Sequence, residues 1–416
     1  MKRRQFLASM ASAATLTASS RAFAQNPIES LLQSPGRGRW SDEFDATRDQ
    51  KAGSSNLPIL SDRTPELIEA VMNDYRRITA SGGWPVVPAN NKLELGVQSP
   101  NVPVLRKWLK ISGDLPASSG ESDIYDSWVD GAVRRFQLRH GLPADGVMGK
   151  YSFAAMNIPA SVRLGQLETN LVRLRSMSGY LGDRYVMVNI PAAQIEVVEL
   201  GKVVQRHTAV VGKIDRQTPI LNSNIHEIIL NPYWTSPKSI IKKDIIPLMR
   251  EDPTYLERNN IRILDEATGE EIAPQAIDWN SDEAVNYTLR QDPGKINAMA
   301  STKINFRNPH AVYMHDTPQQ GLFGNIERFN SSGCVRVQNV RDLTTWILKD
   351  TPGWDRRNIE QIIASGQNTE IAVADPVPVY FTYITAWSVD QGVAQFRDDI
   401  YRRDGVEELA LETTAL

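Results

Sequence analysis

The chain has 416 residues, of which 41% are hydrophobic and 23% are charged, and its formal net charge is −3 at pH 7. This length exceeds what one hydrophobic core usually organises, and the composition is typical of folded chains, so we expect two or three domains and exclude a disordered polymer. The weakly acidic balance gives no electrostatic case for nucleic acid or an anionic membrane surface as the main partner.

The first 24 residues predict a removable export signal. A basic start precedes a modestly apolar stretch, and Ala-Phe-Ala at 22–24 fits a small-x-small cleavage site. Arg3-Arg4 before Gln-Phe-Leu resembles a twin-arginine signal, with an ordinary secretory signal as the alternative. Cleavage would remove four basic residues and no acids, which moves the net charge from −3 to −7. Because no segment offers the roughly 18 uninterrupted apolar residues of a membrane span, we expect a soluble mature protein.

The segment that follows predicts an arm and then a helical scaffold. Residues 25–60 are rich in Ser, Gly, Asn and Arg, which favours a mobile arm. A helix then begins at Thr64, which we expect to cap it, with Pro65 at the first helical position. Residues 160–179 predict another helix, which we interpret as a connecting helix with a solvated face. The predicted scaffold comprises residues 61–91 and 159–182.

Residues 92–158 predict a compact module of short helices, because three groups of apolar residues repeat there at helical spacing. Between the second and third groups, the sequence AVRRFQLRHGLPADGVMG spans residues 132–149, and its glycines permit tight turns. This stretch resembles the peptidoglycan-binding module of many wall enzymes. An insert around residues 118–123 lengthens the first loop, and two roles stay open: binding of a glycan strand, or service as a docked spacer.

From Arg184 onwards the pattern changes to short β-rich runs joined by tight turns, which predicts a meandering sheet. The segment 236–300 interrupts it with a helical stretch, many charges and Pro/Gly breaks, and we interpret it as an insertion that forms a mobile cap. The predicted fold class is therefore α+β, with a mainly β domain at residues 183–375 beside the helical parts. Residues 376–416 are predicted to pack on the scaffold and to contribute one more strand at 377–387.

Cys334 is the only cysteine, so no intrachain disulfide can form, although an exported chain meets an oxidising compartment. Taken alone, a single cysteine is more often a small buried hydrophobic residue than a nucleophile. Its neighbours favour chemistry, because Gly333 lets a ligand approach the backbone and Arg336 can hold a carboxylate. The backbone N–H groups of Gly333 and Cys334 can also face a developing oxyanion.

A thiol with the ordinary pKa of about 8.5 needs a base or a positive field to react well at neutral pH. Of the five histidines, His315 is the candidate base, because it ends a predicted strand, precedes Asp-Thr-Pro and lies 19 residues before Cys334. Structural or surface roles are predicted for the other four, which are His140, His207, His226 and His310. Since there is no HExxH motif and no cysteine pair, we predict no metal site and no cofactor.

Two short motifs carry a strong family resemblance. His315-Asp-Thr-Pro, an intervening Leu322-Phe323 and the run Ser331-Ser332-Gly333-Cys334-Val335-Arg336 resemble the signature of L,D-transpeptidases with a YkuD-type catalytic domain. Many smaller members carry His where this chain has Ser332, so His315 is the only imidazole in the signature. Further segments are similar to the large YcbB-like branch and extend the resemblance over residues 62–405: GGWP at 82–85, NIPAAQIEVV at 189–198, VVGKIDRQTP at 210–219, NPYWTSPKSI at 231–240 and RQDPGKINA at 290–298.

The resemblance implies a sheet sandwich, a periplasmic location and a two-step acyl transfer. The Cys334 thiolate would attack the carbonyl of the third residue of a tetrapeptide stem and expel the terminal D-alanine. An amine of a neighbouring stem would then attack the thioester, while His315 accepts and returns protons, and a 3→3 cross-link results. The resemblance also implies that carbapenems acylate the cysteine.

The same resemblance suggests a substrate groove. Arg336 would pair with a substrate carboxylate, Tyr313 would line the groove beside the base, and Trp234 would form a wall, although ordinary packing stays open for both aromatic residues. Ser331 and Ser332 complete the predicted groove. Expected partners are peptidoglycan stem peptides, glycan strands and other wall-synthesis proteins. The alternative functions are an L,D-carboxypeptidase, an acyltransferase that attaches wall proteins, and a non-catalytic wall-binding scaffold that relies on the module.

Overall fold

The computed structural model describes residues 55–177, 181–390 and 392–405. The predicted export signal and most of the predicted arm lie outside the described residues. Within the described ranges, no helix is both long and apolar enough to cross a membrane. The end of the predicted arm is not mobile but anchored, because Ile59 and Leu60 are buried and the Ile59 N–H donates to the Glu196 carboxylate at 2.9 Å.

The described helical part precedes the sheet and contains α1 (Thr64–Ala80), α2 (Asn101–Ile111), a 3-10 turn (Ala117–Ser119), α3 (Ser127–Arg139), α4 (Lys150–Met156) and α5 (Ala160–Met177). Apolar residues at helical spacing make α1 amphipathic, and it buries Ile68 and Val71 in a core shared with α5. The prediction that Thr64 caps α1 is wrong. Thr64 is the first helical residue, and its hydroxyl donates to the Pro58 carbonyl at 3.2 Å.

The predicted solvated face of α5 is present, since Glu168 and Arg175 are exposed, but a second polar face of the helix is buried. Arg163 and Asn170 are only 3% and 0% exposed. The Asn170 side-chain amide donates to the Thr385 hydroxyl at 2.7 Å, and that of Gln166 donates to the Arg397 carbonyl at 2.9 Å. Polar side chains are buried where they satisfy other polar groups. The polar face of α5 therefore binds the C-terminal segment.

Helices α2, α3 and α4 form a module with its own core, which contains Trp108 and Phe136. Gln137 holds the turn that follows α3: its amide nitrogen donates to the Asp145 carboxylate at 2.8 Å, and its oxygen accepts the Gly146 N–H at 2.9 Å. The Phe-Gln and Asp-Gly parts of the motif at 132–149 therefore bind each other.

The β-rich part begins with β1 (Arg184–Asn189), β2 (Gln194–Glu199), β3 (Lys202–Gly212) and β4 (Leu221–Leu230), and continues with β5 (Trp234–Thr235), β6 (Ile261–Leu264), β7 (Glu271–Ile272), β8 (Thr288–Gln291), β9 (Thr302–Phe306), β10 (Met314–His315), β11 (Phe329–Ser331), β12 (Val335–Val337), β13 (Thr369–Thr382), β14 (Ala386–Asp390) and β15 (Val393–Phe396). The main sheet has the order β11-β3-β12-β10-β9-β4-β13-β1-β2. Because β2 also pairs with β3, the sheet curves back on itself.

The predicted meander is present in β1, β2 and β3, which pair antiparallel in succession. Three other pairs are parallel: β1 with β13, β10 with β12, and β11 with β3. Parallel neighbours need long connections, so the order of the remaining strands does not follow from the β pattern of the sequence.

The insertion lies between β4 and β9 and contains a small sheet of order β5-β8-β6-β7. Its helical pieces are α6 (Lys238–Ile240), a π-helical turn (Ile241–Ile245), α7 (Ile246–Glu251), α8 (Tyr255–Arg258) and two 3-10 turns (Pro274–Ala276 and Glu283–Asn286). Trp234, Ile245 and Leu289 belong to a separate cluster of buried apolar residues. The insertion therefore has its own core, while its motion as a cap stays a prediction.

Two helices after Cys334, α9 (Val340–Ile347) and α10 (Arg356–Ser365), contribute Leu343, Trp346 and Ile359 to the core of the main sheet. This packing fixes β12, which ends three residues before α9 begins. The large apolar cluster thus supports the middle of the sheet from one side.

The predicted strand at 377–387 is wrong in its bounds. β13 begins earlier, at Thr369, and ends at Thr382, while Ala386 begins the separate hairpin of β14 and β15. Between them the Thr385 N–H donates to the Asn170 side chain at 2.9 Å. At this point the backbone leaves the main sheet, and the Thr385 N–H bonds to a side chain of α5.

Candidate active site

Three neighbouring strands place the candidate residues on one face of the main sheet. β10 pairs in parallel with β12, where His315 lies opposite Arg336, and antiparallel with β9, where His315 lies opposite Lys303. Directly opposed residues lie on the same face of a sheet. Arg336, His315 and Lys303 therefore form one row in which the imidazole stands between two cations.

The alternation of side chains along a strand explains why these residues share a face. Ile304, Met314 and Val335 are fully buried in the core of the main sheet. Their sequence neighbours take the opposite face, and there the ring of Tyr313 lies 5.5 Å from the ring of His315.

The backbone N–H and the phenolic O–H of Tyr313 lower the pKa of the Cys334 thiol against the effect of burial, because both groups favour the thiolate. The indole N–H of Trp234 likewise lowers the pKa of the Tyr313 phenol against the larger effect of burial. The Lys303 ammonium lies 4.6 Å above the Tyr313 ring. Donors and a cation close to the sulfur stabilise a thiolate once it forms.

At rest, the Cys334 thiol and the His315 imidazole are both neutral. Burial raises the pKa of the Cys334 thiol above its ordinary value, against the opposing effects of Tyr313, Lys303 and Arg336. Burial also lowers the pKa of His315 to about 3, together with the positive charges of Arg336 and Lys303. Within the described chain no hydrogen bond joins His315 to Cys334. The resting site therefore holds a thiol and a neutral imidazole, not a thiolate–imidazolium ion pair.

The tautomer of His315 follows from its neighbour. Its Nδ1 lies 2.5 Å from the carbonyl oxygen of Asp316. A carbonyl oxygen only accepts, so Nδ1 must carry the proton and Nε2 keeps its lone pair. Nε2 is therefore the nitrogen that can act as a base.

The turn before Cys334 is held by Ser331 and Gly333. The Ser331 hydroxyl donates to the Cys334 carbonyl at 2.5 Å and accepts the Gly333 N–H at 3.1 Å. Gly333 has a φ of +113°, a conformation that favours glycine. Of the two predicted oxyanion donors, the Gly333 N–H is thus already engaged, whereas the Cys334 N–H has no acceptor within the described ranges.

Ser332 is exposed and links the turn to the insertion. Its hydroxyl accepts a hydrogen bond from Arg216 at 3.0 Å. The same guanidinium makes two hydrogen bonds to the Asp244 carboxylate, at 2.5 and 2.8 Å, and Asp244 belongs to the π-helical turn. The mostly buried ion pair of Arg216 and Asp244 therefore connects the insertion to the turn before Cys334.

The remaining predicted groove residues have specific contacts. Arg336 is 9% exposed and donates to the Gln319 side chain at 2.6 Å, so a substrate carboxylate would compete with Gln319. Trp234 is 6% exposed and belongs to the core of the insertion, where it packs beside Tyr313. Ser331 is buried and braces the backbone. The structure brings all predicted site residues together but gives Ser331 and Trp234 packing contacts.

Three residues beside the site were missed from sequence: Lys303, Thr218 and Tyr401. A single lysine in a strand is most simply interpreted as a solvent-facing residue, and only the register of β9 against β10 brings Lys303 to His315. Thr218 lies in the segment VVGKIDRQTP, which the resemblance marks without assigning it a role. Nothing in the local sequence around Tyr401 points to the site.

The other four histidines lie elsewhere. His140 and His207 are buried, and their Nδ1 atoms lie 2.7 and 2.9 Å from backbone carbonyls. His226 is half-buried and His310 is exposed. In the part of the chain that the structure describes, no three His, Cys, Asp or Glu side chains gather as metal ligands.

Comparison with protein families gives two matches. Residues 183–373 match the YkuD family, described as "L,D-transpeptidase catalytic domain". Residues 98–156 match a family described as "Putative peptidoglycan binding domain". The first match contains the row of Arg336, His315 and Lys303 with Cys334, and the second contains α2, α3 and α4.

A curated relative from Haemophilus influenzae, described as "Putative L,D-transpeptidase", is 32% identical over 312 residues, which cover 73% of this chain and 62% of the relative. The chain thus spans less than two thirds of that relative's length. An L,D-transpeptidase structure from Mycobacterium smegmatis is 14% identical with a TM-score of 0.23, covering 48% of this chain and 58% of that one. One from Xylanimonas cellulosilytica is 15% identical with a TM-score of 0.23, covering 71% and 99%. At such TM-scores the likeness carries no argument.

Proposed function

We propose that the protein forms 3→3 cross-links in peptidoglycan, because residues 183–373 match the L,D-transpeptidase catalytic-domain family and residues 98–156 match the peptidoglycan-binding family. The acyl part of a tetrapeptide stem passes to Cys334 with release of D-alanine, and then to an amine of a second stem. One observation carries the proposal: the parallel pairing of β10 with β12 places Tyr313 and His315 beside the segment that runs from Cys334 to Arg336.

In the first step the Cys334 sulfur bonds to the stem carbonyl carbon, and the carbonyl π-electrons move to oxygen. The thiol proton passes to Nε2 of His315, because Nδ1 already donates to the Asp316 carbonyl. An imidazole with a pKa of about 3 does not remove this proton at rest, so the transfer accompanies bond formation. The Cys334 N–H faces the developing oxyanion.

Collapse of the tetrahedral intermediate then breaks the C–N bond to D-alanine. The two cations beside His315 oppose a third positive charge, so the imidazolium is a strong acid and readily protonates the leaving amine. The environment that makes His315 a weak base at rest thus favours its second role. The product is a thioester on Cys334.

In the second step an acceptor amine attacks the thioester and loses its proton to Nε2 of His315. The C–S bond breaks, the sulfur leaves with the electron pair, and the imidazolium returns the proton to it. Tyr313 and Lys303 stabilise the sulfur while it carries negative charge. An isopeptide bond between two stems and a regenerated thiol result.

The charges beside the site suit an anionic substrate. Lys303 and Arg336 flank His315 and can attract the carboxylate of the terminal D-alanine. The module at 98–156 would hold the glycan part of the wall near this face. The signal pattern in the first 24 residues supports a periplasmic site of action after export.

The test is a product analysis with purified protein and disaccharide-tetrapeptide stems, with dimers and tripeptides separated by liquid chromatography and mass spectrometry. We expect dimers with stoichiometric D-alanine from the wild type and neither product from Cys334→Ala. Tripeptide without dimer would replace the proposal by an L,D-carboxypeptidase. Absence of both products, with wall binding that depends on the module, would favour the non-catalytic scaffold.

A further inference from the structure

A short loop connects β3 to β4, spans residues 213–220 and lies behind the turn at residues 331–334, here called the nucleophile turn. It packs against the turn, since the Lys213 N–H donates to the Ser331 carbonyl at 3.0 Å. Gly212 stands at its start and has no room for a side chain, because a Cβ there would lie 2.3 Å from the Arg216 carbonyl oxygen. The loop is therefore closely fitted to the end of β3.

Thr218 joins this loop to the nucleophile turn. It is 0% exposed, and its hydroxyl accepts the Gly212 N–H at 2.8 Å and donates to the Gly333 carbonyl at 2.9 Å. That carbonyl belongs to the peptide group that precedes Cys334. In a planar trans peptide the C=O and N–H point in opposite directions. By holding the carbonyl, Thr218 directs the Cys334 N–H away from the loop.

Tyr401 fixes Thr218 from the C-terminal segment. Its hydroxyl accepts the Thr218 N–H at 3.2 Å and donates to the Gly212 carbonyl at 2.5 Å. Tyr401 is itself held, because its N–H donates to the Tyr383 hydroxyl at 2.8 Å. Tyr401, which lies far from Cys334 in the sequence, thus adds a second buried hydroxyl group behind the nucleophile turn. We call the hydroxyl groups of Thr218 and Tyr401 the relay.

We infer that Thr218 and Tyr401 are positioning residues, whose hydroxyls hold the Gly333–Cys334 peptide so that the Cys334 N–H faces the developing oxyanion. The inference rests on the acyl-transfer chemistry proposed above. It separates two reactions of the same sulfur: attack on an acyl carbon creates an oxyanion and needs the relay, whereas alkylation creates none and does not.

The experiment compares these reactions in one set of full-length variants. p-Nitrophenyl acetate reports acylation, because the S–C bond forms, the ester C–O bond breaks, p-nitrophenolate leaves and the thiol proton passes to His315. Iodoacetamide reports alkylation, in which iodide leaves. The variants are Thr218→Val, which removes the hydroxyl at constant shape, Thr218→Ser, which keeps it, and Tyr401→Phe. Thr344→Val is the matched control, since that buried hydroxyl has no partner among the described residues.

We expect Thr218→Val to slow the acylation burst about 10- to 100-fold while alkylation changes by less than about threefold. Thr218→Ser should restore the burst to within about threefold, Tyr401→Phe should slow it about 3- to 10-fold, and Thr344→Val should change neither reaction. Equal losses in both reactions, an unchanged burst in Thr218→Val, or no burst from the wild type would overturn the inference. Because p-nitrophenyl acetate is not a stem peptide, a burst without cross-linking would count against the proposed function alone.

Discussion

The two sides of Cys334 are built in different ways. On the sheet side, Tyr313, His315 and Arg336 come from two short adjacent strands and act through charge and proton affinity. On the loop side, Thr218 and Tyr401 come from distant parts of the chain and act through neutral hydroxyls that hold the backbone. The titratable groups of this site therefore lie in a local motif, whereas the orientation of the Cys334 backbone depends on contacts between distant parts of the chain.

The Cys334 thiol on the sheet side should give a steep dependence of the alkylation rate on pH. Because the pKa of Cys334 lies above its ordinary value and that of His315 is about 3, no group of the pair changes charge between pH 6 and 8. The thiolate fraction, and with it the rate of alkylation by iodoacetamide, should rise about tenfold per pH unit from pH 6 to 8, or about 100-fold overall. A plateau below pH 8 would show a thiolate–imidazolium pair instead.

Removal of the base tests the sheet side next. His315→Gln should lower the rate of Cys334 acylation by p-nitrophenyl acetate about 100- to 1000-fold, because no other described imidazole lies near the sulfur. Alkylation at pH 10 should change little, since hydroxide removes the thiol proton there. His310→Gln, at an exposed turn, is the control and should match the wild type in both reactions. Acylation of His315→Gln at the wild-type rate would remove His315 from the mechanism.

A methyl group added at Gly212 tests whether the loop side depends on its close packing. Gly212→Ala would place a Cβ 2.3 Å from one backbone atom and 2.6 Å from the Thr218 nitrogen. We expect the free energy of unfolding to fall by about 3 kcal/mol and the acylation rate to fall about 100-fold. Gly321→Ala is the control, because its Cβ meets nothing within 4 Å. Equal thermal unfolding and acylation in both variants would show that the loop tolerates displacement.

The smallest of these effects concerns Lys303. Lys303→Met removes a cation that favours the Cys334 thiolate, so the thiol pKa should rise and alkylation at pH 8 should slow about 3- to 10-fold. Lys303→Arg keeps the charge and should stay within about twofold of the wild type. The rate of iodoacetamide labelling at pH 8 is measured for both variants and for the wild type. No slowing in Lys303→Met would exclude Lys303 from the electrostatics of the sulfur.

Sequence alone predicted most of the sheet side and little of the loop side. Cys334 and His315 were accessible because Gly-Cys-Val-Arg and His-Asp-Thr-Pro lie in short segments with fixed spacing. Lys303 was not, because its place beside His315 depends on an antiparallel register that no local pattern specifies. Tyr401 reaches Thr218 only after the C-terminal segment has bound α5.

The fold was predictable to a similar degree. The α+β class and the β1–β3 meander follow from hydrophobic periodicity, which is a local property. The buried polar face of α5 was not predicted because its partners, Thr385 and Arg397, lie more than 200 residues later. The break between β13 and β14 has a similar cause, since the Thr385 N–H there bonds to the side chain of Asn170 in α5.

Intact-mass spectrometry of the protein after incubation with a carbapenem shows directly whether Cys334 carries an acyl group. We expect a mass increase of one carbapenem on the wild type and none on Cys334→Ala, with the adduct in the peptide that contains Cys334. An unmodified wild-type protein that remains folded, or an equal adduct on Cys334→Ala, would contradict acylation of Cys334.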